Sequence, residues 1–198
     1  MKTLAVLALL GLSVSTLAVP ALAEPLPGIR GVNHIGITVP DLAEAEAFFT
    51  DVLACQKATA FGPFRDDTGT FMQDVLDVDS RAVIEQITLM RCGFGSNIEL
   101  FHYTAPDQKT VTPRNSDIGG HHVAFYVDDF DAALEHLRRH GIEIMGEPTL
   151  SSSHSLGQTW VYFRAPWGMQ FELVSFPNGK AYEATSPVKL WHPARPTE

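Results

Sequence analysis

Two histidines and two glutamates recur in matching contexts, and they are the side chains of this chain best suited to chemistry. His34 lies in the run Asn33-His34-Ile35-Gly36-Ile37-Thr38-Val39-Pro40-Asp41. That run aligns with His121-His122-Val123-Ala124-Phe125-Tyr126-Val127-Asp128-Asp129 at an offset of 88 (122 against 34). Glu99 lies in the run Arg91 to Leu100, which aligns with Arg164 to Leu173 around Glu172 at an offset of 73 (172 against 99). Arg, Gly, Glu and Leu coincide in that second pair. Two neutral imidazoles and two carboxylates form an N2O2 donor set for a divalent first-row metal, and a charge of +2 against −2 leaves the site neutral. Zn, Ni, Co, Fe and Mn all accept such ligands, and donor softness does not choose among them.

Singly, each of these residues has a plainer reading. A lone strand histidine beside a glycine is commonly a hydrogen-bonded structural residue, and a strand glutamate commonly faces water. Recurrence at matched places in two halves favours the four-ligand reading: His34, Glu99, His122 and Glu172. His121 is the rival of His122, but it aligns with Asn33 and alternation puts it on the other face.

The elements that must position these groups follow from the same repeat. Alternation along each strand sets Ile35, Ile37 and Val39 against His34, Gly36 and Thr38, and Val123, Phe125 and Val127 against His122, Ala124 and Tyr126. Ile98 and Leu100 oppose Asn97, Glu99 and Phe101. Phe171 and Leu173 oppose Gln170, Glu172 and Val174. Each strand therefore has an apolar face for packing and an opposite face carrying one candidate ligand. A carboxylate on an inward face is costly unless paired or bound to a cation.

Helices follow the first strand of each half. Asp41 is an N-cap with Glu44 three residues on, and Leu42, Ala45, Phe49, Val52 and Leu53 form an apolar stripe. Asp129 caps the second, with Phe130, Ala133, Leu134 and Leu137, and Gly141 stands where it stops. Strand character returns at Ala54–Phe61, Arg81–Arg91 and Asn97–Tyr103, then at Ile142–Met145, Gln158–Arg164 and Met169–Phe176. The pattern is β-α-β-β-β twice, an α+β chain. The first half holds 15 more residues (88 against 73), placed within Phe61–Arg81.

Domain limits read as a first module at 31–104, a Pro/Asp/Asn/Gly-rich linker at 105–120, a second module at 121–176 and an extended tail at 177–198. Residues 1–23 read as a secretory signal peptide: Lys2, the apolar run Leu4 to Leu12, then Ala21-Leu22-Ala23. Residues 24–30 form a short N-terminal linker. The expected location is therefore periplasmic or secreted, with no membrane association after signal cleavage. In an oxidising compartment Cys55 and Cys92 form either one disulfide or two buried thiols. With 14 Lys+Arg against 23 Asp+Glu the formal net charge is −9. Such a chain lacks the basic face that nucleic acid requires.

NHIGITVPDLAEAEAFFTDVL, SNIELF, GGHHVAFYVDDFDAALEHLRRHGI and FRAPWGMQFELV resemble the vicinal oxygen chelate superfamily, which includes glyoxalase I, bleomycin resistance proteins and extradiol dioxygenases. The resemblance covers about Gly31 to Phe176. It implies two βαβββ modules pairing into a U-shaped, incomplete barrel around one divalent metal ion, held by His34, Glu99, His122 and Glu172. It also implies a small-molecule substrate whose two adjacent oxygens chelate the metal. The stretch from GGHHVAFYVDD to SFPNGKAYE resembles a branch with epimerases of cyclitol ketones.

By that resemblance the reaction is proton abstraction next to a metal-chelated carbonyl, as in an isomerase, epimerase or glyoxalase-type lyase. Glu172 then acts as base and Glu99 as second acid/base. An extradiol-type dioxygenase and a non-catalytic binding or resistance protein are the competing classes. Glu99 argues against the first of these, and the intact His/Glu set against the second. Phe101, Tyr126 and His154, the last in the loop Ser151–Gly157, are weaker substrate-contact candidates. A homodimer is a further expectation. His136 and His140, on the second helix, are read as solvated.

Overall fold

The computed structural model describes residues 26–197; the expected signal segment at 1–23 lies outside the described residues. Among the described residues no helix is long and apolar enough to cross a membrane.

The repeat is carried by two mixed four-stranded sheets. In the first, β1 (His34–Thr38), β2 (Gln56–Phe61), β3 (Val83–Arg91) and β4 (Asn97–Thr104) take the order β1-β4-β3-β2. In the second, β5 (Val123–Tyr126), β6 (Ile144–Leu150), β7 (Thr159–Arg164) and β8 (Gln170–Ser175) take the order β5-β8-β7-β6. The first and fourth strands of each sheet run parallel, and the remaining pairs are antiparallel. This is the expected β-α-β-β-β order, twice.

Both helices begin as their caps dictate. The Asp41 side chain accepts from the amide of Glu44 and opens α1 (Leu42–Ala47), and Asp129 accepts from Ala132 and opens α3 (Phe130–Arg139). The first stripe predicts one helix through Leu53, but α1 widens into a π-turn over Phe48–Val52. There Leu53 N–H reaches back to Phe48 and Cys55 N–H to Phe49, with Ala54 left-handed at φ 54°. β2, an edge strand of the first sheet, begins immediately after at Gln56.

The apolar faces of both sheets and both helices meet in one core. Ile37, Ile98 and Leu100 join Phe48 and Phe49 of the first helical segment, Leu134 and Leu137 of α3, and Val161, Phe163, Phe171 and Leu173 of the second sheet. Phe48 lies 5.7 Å from Phe171 and 5.4 Å from Trp167, so the first helix packs on the second sheet. His136 is not merely solvated: its Nε2 meets the Val52 carbonyl at 2.9 Å, because α3 lies beside the π-turn. The fully buried Thr88 hydroxyl donates to Glu46 on α1, which also pairs with Lys57 at 2.7 Å. Burial works against the Glu46 carboxylate, but those two bonds hold its pKa below the ordinary range.

The 15 extra residues are not a bare loop. They supply the short helix α2 (Phe71–Asp74), whose Met72 joins Ala82 and Ile84 in a second small core. The tail also departs from the expected extended form: it makes a 3-10 turn at Ala181–Ala184 and buries His192 against Tyr126 and Phe176.

Cys55 and Cys92 form a disulfide. The register explains it, because Gln56 pairs with Arg91 and the next residue outward on each chain is a cysteine. Cross-strand neighbours of this kind hold their Cβ atoms within bridging reach. The bond closes a 37-residue separation between the end of the π-turn and the β3–β4 turn. Reduction, or Cys92→Ser, is expected to lower the unfolding free energy by about 2–4 kcal/mol, read as a lower guanidinium midpoint. An unchanged midpoint after complete reduction would contradict a structural role for the bridge.

Candidate functional site

Each module brings one histidine and one glutamate together by the same register. In the first, Gly36 is the Cα partner of Glu99, so His34 stands two residues back on the same face. In the second, Ala124 is the partner of Glu172 and His122 stands two residues back. His34 Nε2 lies 3.4 Å from Glu99 Oε2, and His122 Nε2 lies 2.9 Å from Glu172 Oε2. The opposite faces of these strands supply the shared core, which leaves the His/Glu faces turned away from it.

The four side chains therefore stand as two pairs. Among the described residues no three His, Cys, Asp or Glu side chains come together in a metal-binding cluster. The expected convergence of all four in one cleft is not formed within the chain, because both modules spend their apolar faces on a common core.

The chemistry of each pair still suits a cation. Asn33 Oδ1, an acceptor, takes the Nδ1 hydrogen of His34 at 2.9 Å. In a neutral imidazole that leaves the Nε2 lone pair facing the Glu99 carboxylate, and two acceptors at that spacing need a proton or a cation between them. A partner on the far ring nitrogen is also how metal-binding histidines are oriented. The donors present fit half of an N2O2 set in each module.

The two halves differ in their surroundings. Glu172 is buried, at 9% exposure, and burial pushes its carboxyl pKa up while His122 and then Lys180 pull it back. Tyr162 of β7 is its cross-strand partner and stands edge-on to the His122 ring at 5.0 Å. Burial, then the Glu172 charge, raises the Tyr162 hydroxyl. Trp160 continues this aromatic row 5.0 Å from Tyr162. The His34–Glu99 pair is more open. Phe101 shares its face, stacks on Tyr103 at 5.8 Å and packs against the second core.

The weaker substrate-contact expectations fare unevenly. Phe101 is on the Glu99 face. Tyr126 is on the His122 face but is occupied by the tail, with His192 at 4.5 Å and Phe176 at 5.0 Å. His154 is exposed on a 3-10 turn and meets its neighbour Ser153. Sequence reasoning missed Tyr162 and Lys180. Alternation could have found Tyr162, since it shares the parity of Trp160 and Arg164 opposite Glu172; Lys180 comes to lie over Phe176 only by the fold of the tail.

Residues 33–162 match the family model described as glyoxalase/bleomycin resistance protein/dioxygenase superfamily. The chain belongs to this superfamily. It is 44% identical over 170 residues to 2-epi-5-epi-valiolone epimerase of Actinomyces sp., across 85% of this chain and 91% of that protein. It is 23% identical over 153 residues to mitochondrial methylmalonyl-CoA epimerase of Mus musculus, across 76% of each. Among solved structures, a glyoxalase family protein from Bacillus cereus superposes with a TM-score of 0.60 at 23% identity, covering 78% of this chain and 98% of that one. The superfamily fold is thus present, and the His/Glu face is where its two modules repeat each other.

The first half-site is partly roofed by the inserted segment, through Met72, Phe101 and Tyr103. Met72→Ala should therefore cost about 2–5 kcal/mol of stability by denaturant unfolding, the usual range for truncating a buried methionine. A cost under about 0.5 kcal/mol, typical of a surface site, would mean that the insertion does not pack there.

Proposed function

We propose that this protein is a metal-dependent epimerase of a small, polyhydroxylated cyclic ketone. The observation that carries the reading is the duplicated His–Glu pair, placed by identical register in both modules. The 44% identical epimerase of Actinomyces sp. and the more distant methylmalonyl-CoA epimerase support the reaction class, inversion at carbon next to a carbonyl.

His34, Glu99, His122 and Glu172 would hold one divalent ion, Zn, Ni, Co, Fe or Mn. When bound, the ion acts as a Lewis acid that polarises the substrate carbonyl and acidifies the neighbouring C–H. Glu172 takes that proton as the general base. Glu99 serves the opposite side. The aromatic row of Tyr162 and Trp160 gives the ring of the substrate an apolar wall.

The two pairs are completed as one site between two copies of the chain, the first module of one facing the second module of its partner. What supports this arrangement is that neither pair alone satisfies a divalent ion and, among the described residues, no third ligand joins either pair. Action outside the cytoplasm is supported by the disulfide and by the N-terminal signal pattern.

Three measurements test this reading. The purified protein should carry a divalent metal that His122→Ala loses, by mass spectrometry. In D2O, 2-epi-5-epi-valiolone should take up deuterium next to its carbonyl, and Glu172→Gln should abolish the uptake. Co-expressed His34→Ala and His122→Ala chains, each inactive alone, should regain about a quarter of wild-type activity, because half the dimers would hold one intact site of two. No regain would place the site within one chain; no exchange by the wild type would sink the epimerase reading.

A further inference from the structure

The C-terminal tail places one cation on the His122/Glu172 face of the second sheet, and the backbone hydrogen bonds that anchor the tail do not use it. Phe176 to Lys180 forms a turn in which Gly179 N–H reaches Phe176 and Gly179 adopts φ 77°. The turn presses on the β6–β7 loop: a Cβ at Gly157 would lie 2.5 Å from the Gly179 carbonyl. Ala181 N–H donates to the Leu156 carbonyl at 2.9 Å, Lys180 N–H to Glu183 at 2.9 Å, and Leu190 N–H to the Tyr182 hydroxyl at 2.9 Å. All of these bonds use backbone donors, and the Lys180 ammonium takes part in none of them.

That ammonium is instead held at the reactive face. Its Nζ sits 4.4 Å above the Phe176 ring and 5.7 Å from that of Tyr182. Phe176 continues the alternation of Glu172 and Val174, and so belongs to the His122/Glu172 face. The polar contact of Nζ is a long one, 3.4 Å to Gln158 Oε1. Among the described residues no carboxylate lies within ion-pairing distance of it, yet its charge acts on Glu172. Three N–H donors on the ammonium of this half-buried residue, with one weak neutral acceptor, leave donor capacity free on the sheet face that carries His122 and Glu172. Aromatic faces hold a cation in place without consuming its hydrogen bonds.

We infer that Lys180 is a substrate-binding residue whose ammonium donates to a ring hydroxyl oxygen of the substrate while Glu172 attends the carbon next to the carbonyl. This rests on the epimerase reading and adds a specificity-determining contact to it. A single cation amid aromatic faces suits a neutral polyol; a phosphorylated substrate would call for a cluster of Arg or Lys. The contact is made in ground state and transition state alike, so its loss falls on KM.

The experiment compares wild type, Lys180→Met and Lys180→Arg with 2-epi-5-epi-valiolone. Met keeps the stem length and its packing on Phe176 and removes the donors. Lys180→Met should raise KM about ten- to a hundredfold, with kcat within about twofold and with metal content and melting temperature unchanged. Lys180→Arg should recover part of the loss. An unchanged KM in Lys180→Met, with the wild type active, overturns the assignment and leaves the epimerase reading standing. A fall in melting temperature or metal content that Arg does not rescue also overturns it, as a structural role. A wild type inactive on this substrate overturns both.

Discussion

The parallel pairing of the first and fourth strand within each module is the constraint on which the rest depends. A parallel pair cannot be joined by a tight turn, so a helix and two further strands must intervene, and they make the module. The pairing fixes which residues lie side by side: Gly36 beside Glu99 and Ala124 beside Glu172. A small residue at those places leaves room for the histidine two positions back to lean towards the carboxylate. A Cβ at Gly36 would already stand 3.3 Å from the Phe101 ring. Slipping either strand by one residue would send the histidine into the core and Ile35 or Val123 onto the reactive face.

Because the apolar faces of both sheets are spent on one core, the His/Glu faces are what each module has left to offer. That explains why two unrelated additions end up beside them. The inserted segment brings α2 down onto Phe101 and Tyr103, and the tail lays Phe176, Lys180 and His192 against the second sheet. Neither addition belongs to the repeat, so each acts on one half-site only. The symmetric frame places the two His/Glu pairs, and the asymmetric additions distinguish the two sides.

Much of this was legible in the sequence because it is local or repeated. The alternation of Ile35 and Ile37 against His34, and the caps at Asp41 and Asp129, depend on near neighbours and came through as read. The remainder depends on contacts that no spacing encodes. Cys55 and Cys92 meet because of the β2–β3 register, and the repeat has no second copy of them to compare. The π-turn at Phe48–Val52 answers the need to bury two adjacent phenylalanines against Phe171, a tertiary demand. Likewise the alternation put two His/Glu pairs on matching faces, but whether the four side chains meet in one chain is decided by which faces the core consumes.

The difference between the half-sites is itself chemically apt for inversion at carbon. An epimerase removes a proton from one side of a carbon and returns one to the other, so its two acid/base groups have different tasks. Glu172 is buried and pushed towards higher pKa, beside Tyr162 and within reach of the Lys180 charge. Glu99 keeps a longer contact with its histidine, 3.4 Å against 2.9 Å, in a more open setting. Duplication of one module would by itself give two equal carboxylates. The insertion and the tail remove that equality without disturbing the strands that hold the His/Glu pairs, which is how a repeated frame acquires a direction.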